Sequence, residues 1–165
     1  MSTDAIVILR DDHREVRALF RELEKSSTTE ARRGQIVGKV IELLTVHTYI
    51  ENEVMYPQVR ALLPDLEDEI LESYEEHHVA DVLTMELYGM SPADERFRAK
   101  TMVLIENVTH HMDEEESEWF PKVRDKLGRK QLQELGTQLL EAKKRAPRSP
   151  AQPSALKKAV DAVVS

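Results

Sequence analysis

The chain contains no cysteine. That absence excludes structural disulfides, thiolate zinc sites, cysteine-ligated iron–sulfur clusters and cysteine nucleophiles. Basic residues are in deficit: 31 acidic against 23 basic side chains leave a formal charge of -8. A nucleic-acid binder needs a clustered basic surface to neutralise phosphates, so no nucleic-acid partner is expected. No apolar run approaches the ~20 residues of a membrane span, and no basic segment followed by an apolar stretch opens the chain. Neither a membrane nor a secretory route is expected, and the default compartment is the cytoplasm. Glycine is scarce, at 5 of 165 residues, and strand-like alternation is missing.

What is present is periodicity near 3.6 over most of the length, which indicates an all-α protein. With 41% hydrophobic and 33% charged residues, it has the composition of a soluble globular domain. A first helix is expected over residues 3 to 25, with Thr3 as N-cap and Asp4 in the first turn. The linker Ser26-Ser27-Thr28-Thr29 supplies a hydroxyl cap for a second helix running to residue 63, where Pro64 stops it. A third helix is expected over residues 65 to 88 with Gly89 as its C′ residue. Ser91-Pro92 should open a fourth helix that reaches residue 127 and ends at Gly128. Pro57 and Pro121 should kink or interrupt the second and fourth helices. A shorter helix follows over residues 130 to 144.

From Lys143 onward there are 6 basic residues and 1 acid, so a body near -13 precedes a tail near +5. The expected organisation is a bundle over residues 1–142, with its core at 3–127, and a basic tail over 143–165. Prolines in the tail predict a mobile, solvated extension, with a transient helix from Ser154.

The most informative feature is an internal repeat at a spacing of 64 residues. IELLTVHTYIENEVMYPQVRALL, starting at Ile41, aligns with IENVTHHMDEEESEWFPKVRDKL, starting at Ile105, with 9 of 23 positions identical. The same offset places Asp12-His13 over Glu76-His77. The chain therefore reads as two helical hairpins, each with a lone His on its first helix and His-x-x-x-Glu on its second. Two such hairpins make an antiparallel four-helix bundle of approximate two-fold symmetry.

The apolar seams carry titratable groups where a bundle normally has leucine. His13 interrupts the seam of Ile6, Leu9, Val16 and Phe20. His47 and Glu51 follow Val40 and Leu44, and His111 and Glu115 follow Leu104 and Val108. An unpaired imidazole or carboxylate in such a place costs several kcal/mol. A metal ion offsets that cost directly: His and Glu at i and i+4 share one helical face, and inward nitrogen and oxygen donors suit iron or manganese. On the third helix the periodicity does not choose between a seam through His77 and one through His78; the repeat favours His77.

Taken together, DDHREVRALF, HTYIENEVMYP, EEHHVADVL and HHMDEEESEWFP resemble the hemerythrin-like family, the HHE cation-binding domain, over residues 3 to 127. The resemblance implies a four-helix bundle around an oxo- or hydroxo-bridged non-haem di-iron centre. It assigns His13, His47, His77 and His111 as terminal ligands, the first pair on one iron and the second on the other. Glu51 and Glu115 would bridge the two irons. Oxygen-carrying members use a fifth histidine spaced four from another on the third helix, and here that position is Asp81. Asp81 is then a ligand, an outer hydrogen-bond acceptor or a plain polar residue. His78 is an alternative to His77, and Tyr49, between His47 and Glu51, is a further candidate. Tyr56 aligns with Phe120 and reads as packing. His110, Glu114 and Glu116 read as a solvated face.

Six ligands and one bridge leave a coordination position open on each iron. That arrangement implies dioxygen, hydrogen peroxide or nitric oxide as partners, and favours catalase-like peroxide disproportionation over transport. A non-enzymatic carrier or sensor of oxygen, nitric oxide or iron is the alternative, and a homodimer is left open.

Overall fold

The computed structural model describes residues 3–150. Of the tail expected to be mobile over 143–165, residues 151–165, with the helix expected from Ser154, lie outside them. Seven α-helices run in chain order: α1 (Ala5–Glu24), α2 (Glu30–Ile50), α3 (Tyr56–Leu62), α4 (Glu67–Tyr88), α5 (Phe97–Glu114), α6 (Phe120–Lys126) and α7 (Arg129–Arg145). A π-helical segment, Glu51–Met55, joins α2 to α3, and a second, Glu115–Trp119, joins α5 to α6. The described residues thus form five helical rods, two of them α–π–α composites. No helix among them is long and apolar enough to cross a membrane.

The π segments occupy equivalent places in the repeat, and the prolines explain them. Pro57 and Pro121 have no N–H to donate, and in an α-helix their rings would strike the carbonyl four residues back. Widening the turn relieves that clash: the Tyr56 N–H reaches back to the Glu51 carbonyl, and the Phe120 N–H to that of Glu115. Each insertion also shifts the helical phase. Met55, Tyr56 and Val59 face inward after the first, and Trp119, Phe120 and Val123 after the second.

Several helix ends differ from expectation because a nearby side chain caps better. Asp4, not Thr3, caps α1; its carboxylate accepts from the N–H groups of Ile6 and Val7. Thr29 caps α2 through the Arg32 N–H, as one of the linker hydroxyls was expected to do. Gly89 keeps an ordinary right-handed conformation (φ -89°, ψ -1°) and closes α4 without a left-handed C′ turn. Ser91 and Asp94 hold turns by accepting from the N–H groups of Ala93 and Arg96, so α5 starts at Phe97 and not at Pro92.

Contacts of α1 with α2, α2 with α4, α4 with α5 and α5 with α1 link these four elements in a ring. The helix α7 is no appendage: it packs against α1, α2 and the first π segment. Its face of Leu132, Leu135, Leu139 and Ala142 is buried, and Gly136 lets the backbone at Thr3 approach so closely that a Cβ would sit 1.6 Å from the Thr3 carbonyl oxygen. The helix extends through Lys143 and Lys144, and Ala146 beyond it is buried.

Buried side chains form two apolar clusters. One contains Leu9, Ile50, Tyr56, Ile70, Trp119 and the α7 leucines. The other contains Val16, Phe20, Leu44, Ala80, Leu104 and Val108. Along α1, α2 and α4 the site histidine lies between a residue of one cluster and a residue of the other, and His111 lies between Val108 on α5 and Trp119 in the π segment that follows. A polar layer therefore crosses the bundle between two dry cores, each of which excludes water from it.

Candidate metal centre

The layer is built from four helices and both π segments. His13 on α1, His47 on α2, His77 on α4 and His111 on α5 are buried, as are Glu51 and Glu115 at the first positions of the π segments. His13 Nε2 lies 3.2 Å from His47 Nε2, and His77 Nε2 lies 3.0 Å from His111 Nε2. Glu51 Oε2 stands 3.3 Å from His47 Nε2 and 3.0 Å from His77 Nε2, while Glu115 Oε1 meets His111 Nε2. The donor atoms sort into two overlapping groups: His13, His47, Glu51 and Glu115, and then Glu51, His77, His111 and Glu115. Both carboxylates belong to both groups.

The outer ring nitrogens are all anchored. His13 Nδ1 donates to Glu116 (2.8 Å), His47 Nδ1 to Asp12 (3.0 Å), His77 Nδ1 to Asn52 (2.8 Å) and His111 Nδ1 to Glu76 (2.9 Å). Carboxylates and the Asn52 amide oxygen accept only, so these bonds place the proton on Nδ1 and aim each Nε2 inward. The anchors follow the 64-residue repeat: Asp12 corresponds to Glu76, and Asn52 to Glu116. Such outer partners fix ring orientation at metal sites.

Tyr56 is the main departure from the sequence reading. Its phenol is fully buried at the centre of the layer, where it donates toward Glu51 Oε2 at 3.1 Å or Glu115 Oε1 at 3.2 Å. It also lies 3.0 Å from His77 Nε2 and 3.4 Å from His111 Nε2. Its repeat partner Phe120 stacks on His13 with ring centroids 5.9 Å apart. Glu116 is likewise not a solvated residue, because it joins His13 to Arg17.

Protonation follows from burial and crowding. Burial, aided by the neighbouring His47 and His111 charges, pushes the His13 imidazolium down, to about 4, despite its Glu116 partner. Burial also opposes charge on His47, but Glu51 and Asp12 outweigh it and hold its pKa at about 10. His111 is raised in the same way by Glu115, Glu51 and Glu76. Burial and the neighbouring Glu51 charge lift Glu115 to about 7. His13 and Arg17 draw Glu116 down to about 2.

The remaining candidates stand apart from the two donor groups. His78 is half-buried and in neither group, while His77 is buried and turned inward. Asp81 is half-buried and near enough to favour charge on His77, but it is in neither group. Tyr49 packs on the apolar cluster that includes α7. His110 is exposed and pairs with Glu114.

The donor set fits a pair of cations. Four Nε2 atoms and two carboxylates converge, and the second oxygens, Glu51 Oε1 and Glu115 Oε2, are buried without any hydrogen-bond partner. Buried carboxylate oxygens are rarely left so, and a bound cation would satisfy them. Fold and site thus define a helical protein with a buried histidine–carboxylate cation centre. The family model of the hemerythrin HHE cation binding domain matches residues 4–123, and the chain belongs to that family. It is similar to a protein of Nostoc sp. named DNA nickase, at 30% identity over 136 residues. That match takes in 82% of this chain, which spans only 38% of the relative's length. It also resembles the crystal structure of a hemerythrin HHE cation binding domain-containing protein from Mycobacterium kansasii. There the TM-score is 0.71 at 19% identity, with 86% of each chain covered, a likeness of fold.

Proposed function

We propose that the centre holds two iron ions, one in each donor group, and acts on hydrogen peroxide, converting two molecules into dioxygen and two of water. His13 and His47 would ligate one ion, His77 and His111 the other, with Glu51 and Glu115 shared between them. When bound, the irons would supply the electron exchange that peroxide disproportionation requires. The observation that carries this reading is the pair of donor groups sharing two carboxylates, each with an unpartnered buried oxygen.

The protein's own contribution is positioning, proton supply and exclusion of water. The four Nδ1 anchors hold the imidazoles. The Tyr56 hydroxyl places a proton between Glu51 and Glu115, where a small oxygen species would lose or gain one. A tight pocket floored by all four histidines and walled by Val16, Leu44, Val108 and Met112 admits small uncharged molecules and no bulky substrate.

The apolar walls also suit stoichiometric capture of dioxygen or nitric oxide, so a carrier or sensor is the second reading. The word nickase belongs to the Nostoc relative; 30 acidic against 17 basic residues before Lys143 support a protein that does not engage DNA. The test is iron content and dioxygen release after addition of peroxide. About two irons per chain with sustained release are expected. Two irons with a single stable spectral change and no release would move the assignment to the carrier or sensor. A folded protein that binds no iron would overturn both.

A further inference from the structure

The face of the bundle outside His111 carries a second set of donor atoms. His110 and Glu114 repeat the His-x-x-x-Glu spacing of His111 and Glu115 displaced by one residue, so they point outward from α5. His110 Nε2 lies 2.9 Å from Glu114 Oε1 and 3.8 Å from Glu76 Oε2, and the three residues bring donor atoms within 4.8 Å of one another. We infer that Glu76, His110 and Glu114 form a peripheral site for a divalent first-row transition cation, from which the ion passes to the buried centre. The second half of this inference rests on the cation centre proposed above; the first half does not.

Three observations converge on it. An imidazole nitrogen with two carboxylates is a nitrogen–oxygen set suited to such cations. The negative charge here is also uncompensated. Glu72 and Glu118 add to the potential at Glu114, and among the described residues no Lys or Arg pairs with Glu72, Glu76 or Glu114. Elsewhere on the same helices acids do find cations, as Glu69 does in Lys122 and Glu86 in Lys100.

The third observation is continuity. Glu76 links the two sites: one oxygen accepts from His111 Nδ1 at 2.9 Å, the other faces His110. Glu76 also lines the pocket that reaches all four buried histidines. On the opposite approach the anchoring carboxylates are already paired with cations. Arg17 lies 2.8 Å from Glu116, and Lys143 lies 2.5 Å from Asp12, directly outside the anchors of His13 and His47. A free cation is concentrated on the Glu76 side, where no Lys or Arg among the described residues pairs with the carboxylates.

The test uses the full-length metal-free protein and its H110A/E114Q variant; both positions are on the surface, and Glu76 is left intact to hold His111. Manganous ion is titrated and the free ion counted by electron paramagnetic resonance; anaerobic uptake of ferrous ion is then timed by stopped flow. Wild type should bind one weaker manganous ion beyond its tight ones, and the variant should keep the tight ions and lose that one. Ferrous uptake in the variant should slow by about tenfold, the low end of electrostatic focusing effects. Equal stoichiometry in the two proteins would overturn the peripheral site. Loss of the weak ion with unchanged uptake would overturn the transit role. If wild type binds no tight ions, the buried-centre reading fails by itself and the transit role with it, while loss of a weak ion in the variant still upholds the outer site.

Discussion

The two halves of the centre share their inner layer and differ in nearly everything behind it. In the half of His13 and His47, both anchors are carboxylates, and each is backed by a cation: Glu116 by Arg17, Asp12 by Lys143. In the half of His77 and His111, one anchor is the neutral amide of Asn52 and the other is Glu76, which pairs with His111 and His110 and with no Lys or Arg among the described residues. The ring beside the first half is Phe120; beside the second it is Tyr56. The repeat keeps what sets geometry, namely the His-x-x-x-Glu spacing and the π turn. It did not preserve what sets charge. Two donor groups of similar make-up thus sit in unequal fields.

The largest effect should come from removing what the halves share. Glu115→Ala takes an oxygen from both donor groups, and metal analysis should find the bound iron falling from about two per chain to less than one. The next substitution acts on one half alone. Asp12→Asn weakens the anchor of His47, and titration should show one ion losing about 10- to 100-fold in affinity while the other is little changed. Equal weakening of both ions would show that the halves do not act separately.

Acidity sharpens the contrast. The metal-free fold holds a proton on His47 up to a pKa of about 10, against an ordinary value of 6.5. That proton stabilises the metal-free fold fully below pH 6.5, and its contribution is lost as pH rises through 10. A cation must displace it, so affinity at this position should rise by about tenfold per pH unit between pH 7 and 9, checked by titration at fixed ionic strength. His13 behaves oppositely. Its pKa is held at about 4, so it favours the fold fully above pH 6.5 and that contribution is lost as pH falls through 4. The smallest effect belongs to the aromatic pair. Tyr56→Phe makes the halves alike at that position and removes a buried donor shared by two carboxylates. Denaturant unfolding should show a loss of about 1 to 3 kcal/mol in the metal-free protein.

Much of the inner layer is legible in the sequence because its residues interrupt apolar seams at helical spacing and recur at a fixed offset. His13, His47, Glu51, His111 and Glu115 follow from that pattern. His77 needed the repeat, since the seam through His78 is equally periodic. The phase change was not legible: Pro57 and Pro121 announce an interruption but not a π turn, so Tyr56 aligned with Phe120 as packing when the phenol in fact reaches both buried carboxylates, Glu51 and Glu115. The anchors left a trace that only the paired helices make readable. Asp12 over Glu76 is visible in the repeat, but that each reaches a histidine on the neighbouring helix depends on tertiary packing. The same holds for α7, whose leucine face marks one buried side without saying what it covers.

The paired centre itself is tested most directly by iron-edge anomalous difference density from crystals of the iron-loaded protein. Two peaks about 3.5–4 Å apart, one beside His13 and His47 and the other beside His77 and His111, with Glu51 and Glu115 touching both, are expected. A single peak, or two that share neither glutamate, would contradict the paired centre.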